Sequence, residues 1–128
     1  MRTFVLSVFL SLAIAPSAMA DCPMQKAQVT GTVQARKQPV EGAVIEVRWD
    51  EQRTRNVSAQ TRSEADGSFQ VDLSIDGFDG RTLMAKEKCG YLPGKVEIEV
   101  RRDGHADYQR SFKFADLSKP LDIQLRAR

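Results

Sequence analysis

Between residues 29 and 73 the chain alternates apolar and polar residues in short runs, and each run stops at a turn-forming tetrapeptide. The runs are Val-Thr-Gly-Thr-Val, Val-Ile-Glu-Val-Arg-Trp and, past a polar stretch, Ser-Phe-Gln-Val-Asp-Leu. The stops are Pro39-Val40-Glu41-Gly42 and Ala65-Asp66-Gly67-Ser68. A period of two sends successive side chains to opposite faces of a strand, so each run buries one face only. Glycine at the stops takes backbone angles that other residues resist. Half-buried strands of this kind need a second apolar layer, which an antiparallel β-sandwich supplies.

The same grammar continues along the chain. Strands are expected over residues 27–35, 43–49, 56–62 and 69–73, with Ile45, Val47 and Trp49 on one face and Glu46 and Arg48 on the other. Asp66-Gly67 is the strongest hairpin signal. Residues 74–81 read as a loop and residues 82–89 as a strand. Further strands are expected over 95–101, 108–114 and 121–125, separated by turns at Pro93 and at Asp103-Gly104. Residues 115–119 have room for one helical turn, and no longer segment carries a helical period. The fold class is therefore all-β, an antiparallel sandwich of about seven to eight strands.

Residues 1–20 read as a cleaved export signal and not as part of the fold. Arg2 is followed by an apolar run over residues 4–15, the breaker Pro16 and the small-residue ending Ala18-Met19-Ala20. The run falls short of the roughly 20 residues a membrane span requires, and Asp21 beside Cys22 does not suit a lipid-attachment site. Residues 21–128 are then a single β-sandwich domain that is periplasmic or secreted, with no membrane insertion. Of the 19 basic residues, the 18 besides Arg2 nearly balance the 17 acidic ones and are dispersed, so no basic face points to nucleic acid. The Arg126 and Arg128 tail reads as a solvated terminus. In an exported chain the two cysteines, Cys22 and Cys89, read first as one disulfide.

Gly31, Val33, Pro39, Gly42, Ala43, Val44, Val47, Thr61, Asp66, Gly67 and Phe69 match a Gly-x-Val strand, a Pro-x-x-Gly-Ala turn, a Val-rich strand and an Asp-Gly-x-Phe turn. On these the chain resembles the transthyretin-like (prealbumin-like), or carboxypeptidase regulatory-like, β-sandwich domains. The resemblance implies that fold and leaves function open among accessory, binding module and carrier. One enzyme of that family, the hydroxyisourate hydrolase, resembles a site of several His and Arg residues with a C-terminal Tyr-Arg-Gly-Ser. Here the sequence ends Leu125-Arg126-Ala127-Arg128 and holds one histidine, His105, so the resemblance does not extend to that chemistry.

No catalytic, cofactor-binding or metal-binding set is legible, and no cofactor is expected. His105 in a turn supplies one zinc ligand where three or four are needed. The loop holding Asp76 and Asp79 lacks the spacing of an EF-hand. Asn56-Val57-Ser58 is a glycosylation sequon whose meaning depends on a eukaryotic source. Trp49 aligns with Ile45 and Val47 and reads as core in preference to a sugar-stacking platform. The expectation is a non-enzymatic exported module acting through contact with another protein, with Arg53, Arg55 and Phe78 as candidate contact residues. The alternative is a carrier or binder of a small apolar ligand or glycan. Oligomeric state is not legible.

Overall fold

The computed structural model describes residues 22–51, 55–79 and 88–128. Two four-stranded sheets face one another. The first is centred on β1 (Gln25–Ala35), which pairs in parallel with β10 (Leu121–Gln124) and antiparallel with β2 (Gln38–Pro39) and β5 (Ser68–Ile75). The second runs β4 (Arg55–Arg62), β3 (Val44–Glu51), β8 (Lys95–Arg101), β9 (Tyr108–Lys113), all antiparallel. A short ladder joins β6 (Phe78–Asp79) to β7 (Lys88–Cys89), and a single 3-10 turn, η1 (Phe114–Ser118), precedes β10.

The period-two pattern decides what is buried. Val29, Val33, Val71, Leu73, Ile75 and Ile123 on the first sheet meet Ile45, Val47, Trp49, Val96, Ile98 and Val100 on the second, all buried. Trp49 belongs to this core. Among the described residues no helix is long and apolar enough to cross a membrane.

One turn differs from the sequence expectation. Asp66-Gly67 does not close a hairpin, because β4 and β5 lie in different sheets and the chain crosses the sandwich there. Gly67, at φ 81°, donates to Glu64 O, and its own carbonyl accepts from Val33 N at 2.8 Å, so the turn docks on β1. A Cβ at Gly67 would lie 2.5 Å from Val33 O, so glycine answers a close approach as well as a positive φ. The hairpin turn sits instead at Arg36 and Lys37, with φ of 50° and 63°, between the paired Ala35 and Gln38. This falls within the turn expected over residues 36–42, and two consecutive left-handed residues make the type I′ geometry that normally takes Asn-Gly.

Cys22 and Cys89 form a disulfide with Cα atoms 5.2 Å apart, fastening the segment before β1 to β7. The leader, and residues 82–87 of the strand expected over 82–89, lie outside the described residues.

Candidate functional site

At the end of the sandwich opposite the disulfide, β3 begins while β4 and β8 end. Val44 is paired with Arg62 on one side and with Arg101 on the other, so these three side chains share one row on the outer face. The turn after β8 supplies Arg102, Asp103, Gly104 and Asp107, and the C-terminal segment supplies Arg128. Together with Gly42 these residues line an open cleft of about 500 Å³.

Local hydrogen bonds hold the cleft walls. Ser63 is buried; its hydroxyl donates to Val40 O at 2.6 Å and accepts from Ala43 N at 2.9 Å, while Gly42 N donates to Ser63 O at 2.9 Å. These bonds fix the lead into β3 against the end of β4. Across the cleft, Ala106 N donates to Arg126 O at 2.8 Å and Arg128 N to Gly104 O at 3.2 Å, with His105 bridged to Ala127. The C-terminal residues are thereby a third short strand-like wall. Arg126 and Arg128 are exposed, as expected of a solvated terminus, and Arg128 also borders the cleft.

The charges in the cleft are unbalanced. Arg101 Nη1 donates to Glu99 at 2.8 Å, and Arg128 reaches Asp107 only at 4.0 Å. Arg62 and Arg102 have no ion-pair partner among the described residues. Arg102 lies against Gly42, where a Cβ would stand 3.9 Å from its guanidinium carbon. Four guanidinium groups therefore face two aspartates, and two of the four are unspent.

Behind the cleft the outer face of the second sheet is a polar lattice. Arg48 binds Glu46 and Glu97 at 2.8 Å and Glu99 at 2.9 Å, and Gln60 donates to Glu46 at 2.6 Å. Gln109 donates to Glu97. Glu97 is held below the ordinary carboxylate value, first by Gln109 and then by Arg48, and Glu99 likewise, first by Arg101. These carboxylates stay ionised and hold Arg48 in three ion pairs.

The contact residues read from sequence are not brought together here. Arg53 lies outside the described residues, Arg55 opens β4 opposite Glu51, and Phe78 pairs with Cys89 in the β6–β7 ladder. Both described positions belong to the disulfide end. Arg62, the adjacent pair Arg101 and Arg102, and Arg128 went unrecognised as one group because these three places are far apart in sequence. Only the register that sets Val44 between two arginines unites them.

No protein-family model and no curated protein matches the chain. Solved structures do. A 3-chlorocatechol 1,2-dioxygenase from Rhodococcus opacus 1CP superposes with a TM-score of 0.58 at 7% identity over 85% of this chain and 62% of its own. The catechol 1,2-dioxygenase of Acinetobacter radioresistens gives 0.55 at 11% identity over 82% of this chain and 53% of its own. The chlorocatechol 1,2-dioxygenase of Pseudomonas putida gives 0.54 at 12%, over 82% and 61%. The sandwich is dioxygenase-like. The chain spans between half and two thirds of the length of these enzymes, and at these identities the likeness is one of fold.

These neighbours correct three sequence expectations. The sandwich is not assigned to the transthyretin-like or carboxypeptidase regulatory-like domains, because the motifs that carried that resemblance are turn and core residues. Here Gly31 and Gly67 answer close backbone approaches, Gly42 a positive φ and Phe69 the core, which mark a way of folding and not one family. The readings as a non-enzymatic protein-contact module, and as a carrier of an apolar ligand or glycan, fall with it. The fold found is one that bears enzymes, so non-enzymatic character does not follow from it.

Oxygen chemistry is carried by a bound metal or organic cofactor, so its ligands can be sought in this chain. They do not assemble. His105 is the one histidine in the sequence, both cysteines are bonded to each other, and among the described residues no three His, Cys, Asp or Glu converge. Tyr108 pairs with Val100 near the cleft, whereas the Tyr91 hydroxyl donates to Asp50 O at 3.0 Å at the far end of β3. At about 3.3 Å per residue along β3 the tyrosines stand well over 10 Å apart, too far to share an ion. These residues do not fit such a centre.

Proposed function

We propose that the chain is a dioxygenase-like sandwich domain that binds a small organic anion in the arginine-lined cleft. The observation that carries this reading is the pair of unspent guanidinium groups, Arg62 and Arg102, in a cleft of about 500 Å³ with a fixed backbone floor. The planar guanidinium fork matches a carboxylate with two parallel hydrogen bonds, and it stays charged at any working pH. The disulfide Cys22–Cys89, placed directly after the Ala-Met-Ala ending, supports action outside the cytoplasm.

Titration with acetate and benzoate, followed through backbone amide resonances, tests the reading. Shifts should concentrate at Gly42, Val44 and Gly104 and shrink in Arg102→Gln. Shifts scattered over the whole surface, unaffected by that variant, would refute it.

A catalytic reading is favoured by one observation, that the solved neighbours are enzymes. The same cleft would then hold a substrate. Oxygen uptake with catechol or 3-chlorocatechol tests it: uptake above that of heat-denatured protein supports turnover, and none removes it.

A further inference from the structure

The anion cleft has a spacing that selects among anions, and the inference drawn from it rests on the anion reading above. Arg62 and Arg101 flank the same residue, Val44, from neighbouring strands on opposite sides. Their Cα atoms are therefore two strand spacings apart, about 10 Å. Arg102 adds a second cation on the β8 side, against Gly42. Cationic groups thus stand on both sides of the lead into β3, and what lies between them is apolar or already bonded. Val44 offers only methyl groups. Gly42 N is taken by Ser63 O and Ala43 N by the Ser63 hydroxyl.

A ligand complementary to this arrangement carries an anionic group at each end and an apolar stretch in the middle. A monoacid satisfies one side and leaves the other unspent. A diphosphate places polar bridging oxygen over Val44, where no donor is free to meet it. Asp103 and Asp107 line the outer rim on the β8 side and disfavour a third anionic group there. We propose that the cleft binds an α,ω-dicarboxylate with about four to six carbons, one carboxylate on Arg62 and the other on Arg101 and Arg102, its methylenes over Val44.

The test is a calorimetric and amide-shift titration of the intact disulfide-bonded protein with succinate, glutarate and adipate. Butyrate, inorganic phosphate and pyrophosphate serve as comparison ligands. The expected result is at least tenfold tighter binding of the best diacid than of butyrate, with shifts on both flanks of Val44. Arg62→Gln, an exposed change at the end of an edge strand, should abolish the preference, leaving the variant with equal affinity for the diacids and for butyrate. Equal affinity for diacids and butyrate, with no effect of Arg62→Gln, overturns the diacid assignment while leaving the anion cleft standing. Tighter binding of pyrophosphate than of any diacid overturns it in favour of a phosphate ligand. No shift at Gly42, Val44 or Gly104 with any anion removes both readings.

Discussion

The indole Nε1 of Trp49 donates to Glu51 Oε1 at 2.9 Å, and the two side chains close the core at the disulfide end of the sandwich. Glu51 is 3% exposed, and the same oxygen accepts from Asp76 N at 2.8 Å. One carboxylate oxygen thus satisfies a side-chain donor of β3 and a backbone donor just past β5, tying the two sheets together. Glu51→Leu leaves both donors unmet and should cost about 2–4 kcal/mol. Glu51→Gln, which keeps an acceptor oxygen, should cost markedly less. Urea denaturation of the two variants, compared at constant m-value, measures the difference.

The turn at Arg36 and Lys37 holds two side-chain-bearing residues in the left-handed region, at a cost of roughly 1–2 kcal/mol each. Replacing the pair by Asn-Gly should recover about 1 kcal/mol, since glycine's added freedom in the unfolded chain offsets part of the relief. A melting temperature raised by about 4–6 °C is the expected reading for a domain of this size. An unchanged or lower value would show that the native turn is not strained.

The disulfide Cys22–Cys89 closes a loop with a sequence separation of 67. Constraint of the unfolded chain by a loop of that length is worth about 4 kcal/mol in the chain-entropy account. Cys89→Ser should therefore lower stability by a few kcal/mol. The arginine cleft at the opposite end should keep its amide shifts with acetate. Loss of anion binding in that variant would mean the two ends are coupled.

Acid should weaken the polar lattice on the second sheet. Glu97 and Glu99 both titrate below the ordinary value, the former chiefly through Gln109 and the latter chiefly through Arg101. The unfolded chain then binds more protons than the folded one in this range. Their contribution is complete above the unfolded value of about 4.3 and disappears as pH falls through the folded values. Melting temperature followed from about pH 6 down to pH 3 should drop, and Glu99→Gln should make that drop shallower. A variant with the same slope would place the acid sensitivity elsewhere.

Most strands were legible because burial on one face forces a period of two. Ile45, Val47 and Trp49 announce β3, and Val96, Ile98 and Val100 announce β8, with the observed spans within two residues of expectation. Sheet membership was not legible. Asp66-Gly67 has the composition of a hairpin turn, yet what it serves is close contact with Val33, a neighbour that local sequence does not reveal. The cleft was hidden for the same reason. Arg62 and Arg101 are ordinary strand-end cations until β3 is laid between them. The charged link holding Arg53 and Arg55 drew attention because its charges are adjacent in sequence, whereas Arg62, the Arg101-Arg102 pair and Arg128 meet only in space.

The parallel pairing of β1 with β10 sets an order of events for folding. Gly31, Thr32, Val33 and Gln34 find their partners in Leu121, Asp122, Ile123 and Gln124, and Leu125 N donates to Gln34 O at 2.7 Å. The central strand of one sheet is thus completed by residues some ninety positions later in the chain (Gly31 with Leu121). Contacts of such sequence separation are slow to close. Until residues 121–125 leave the ribosome, one edge of β1 stays bare, so the chain remains open during synthesis.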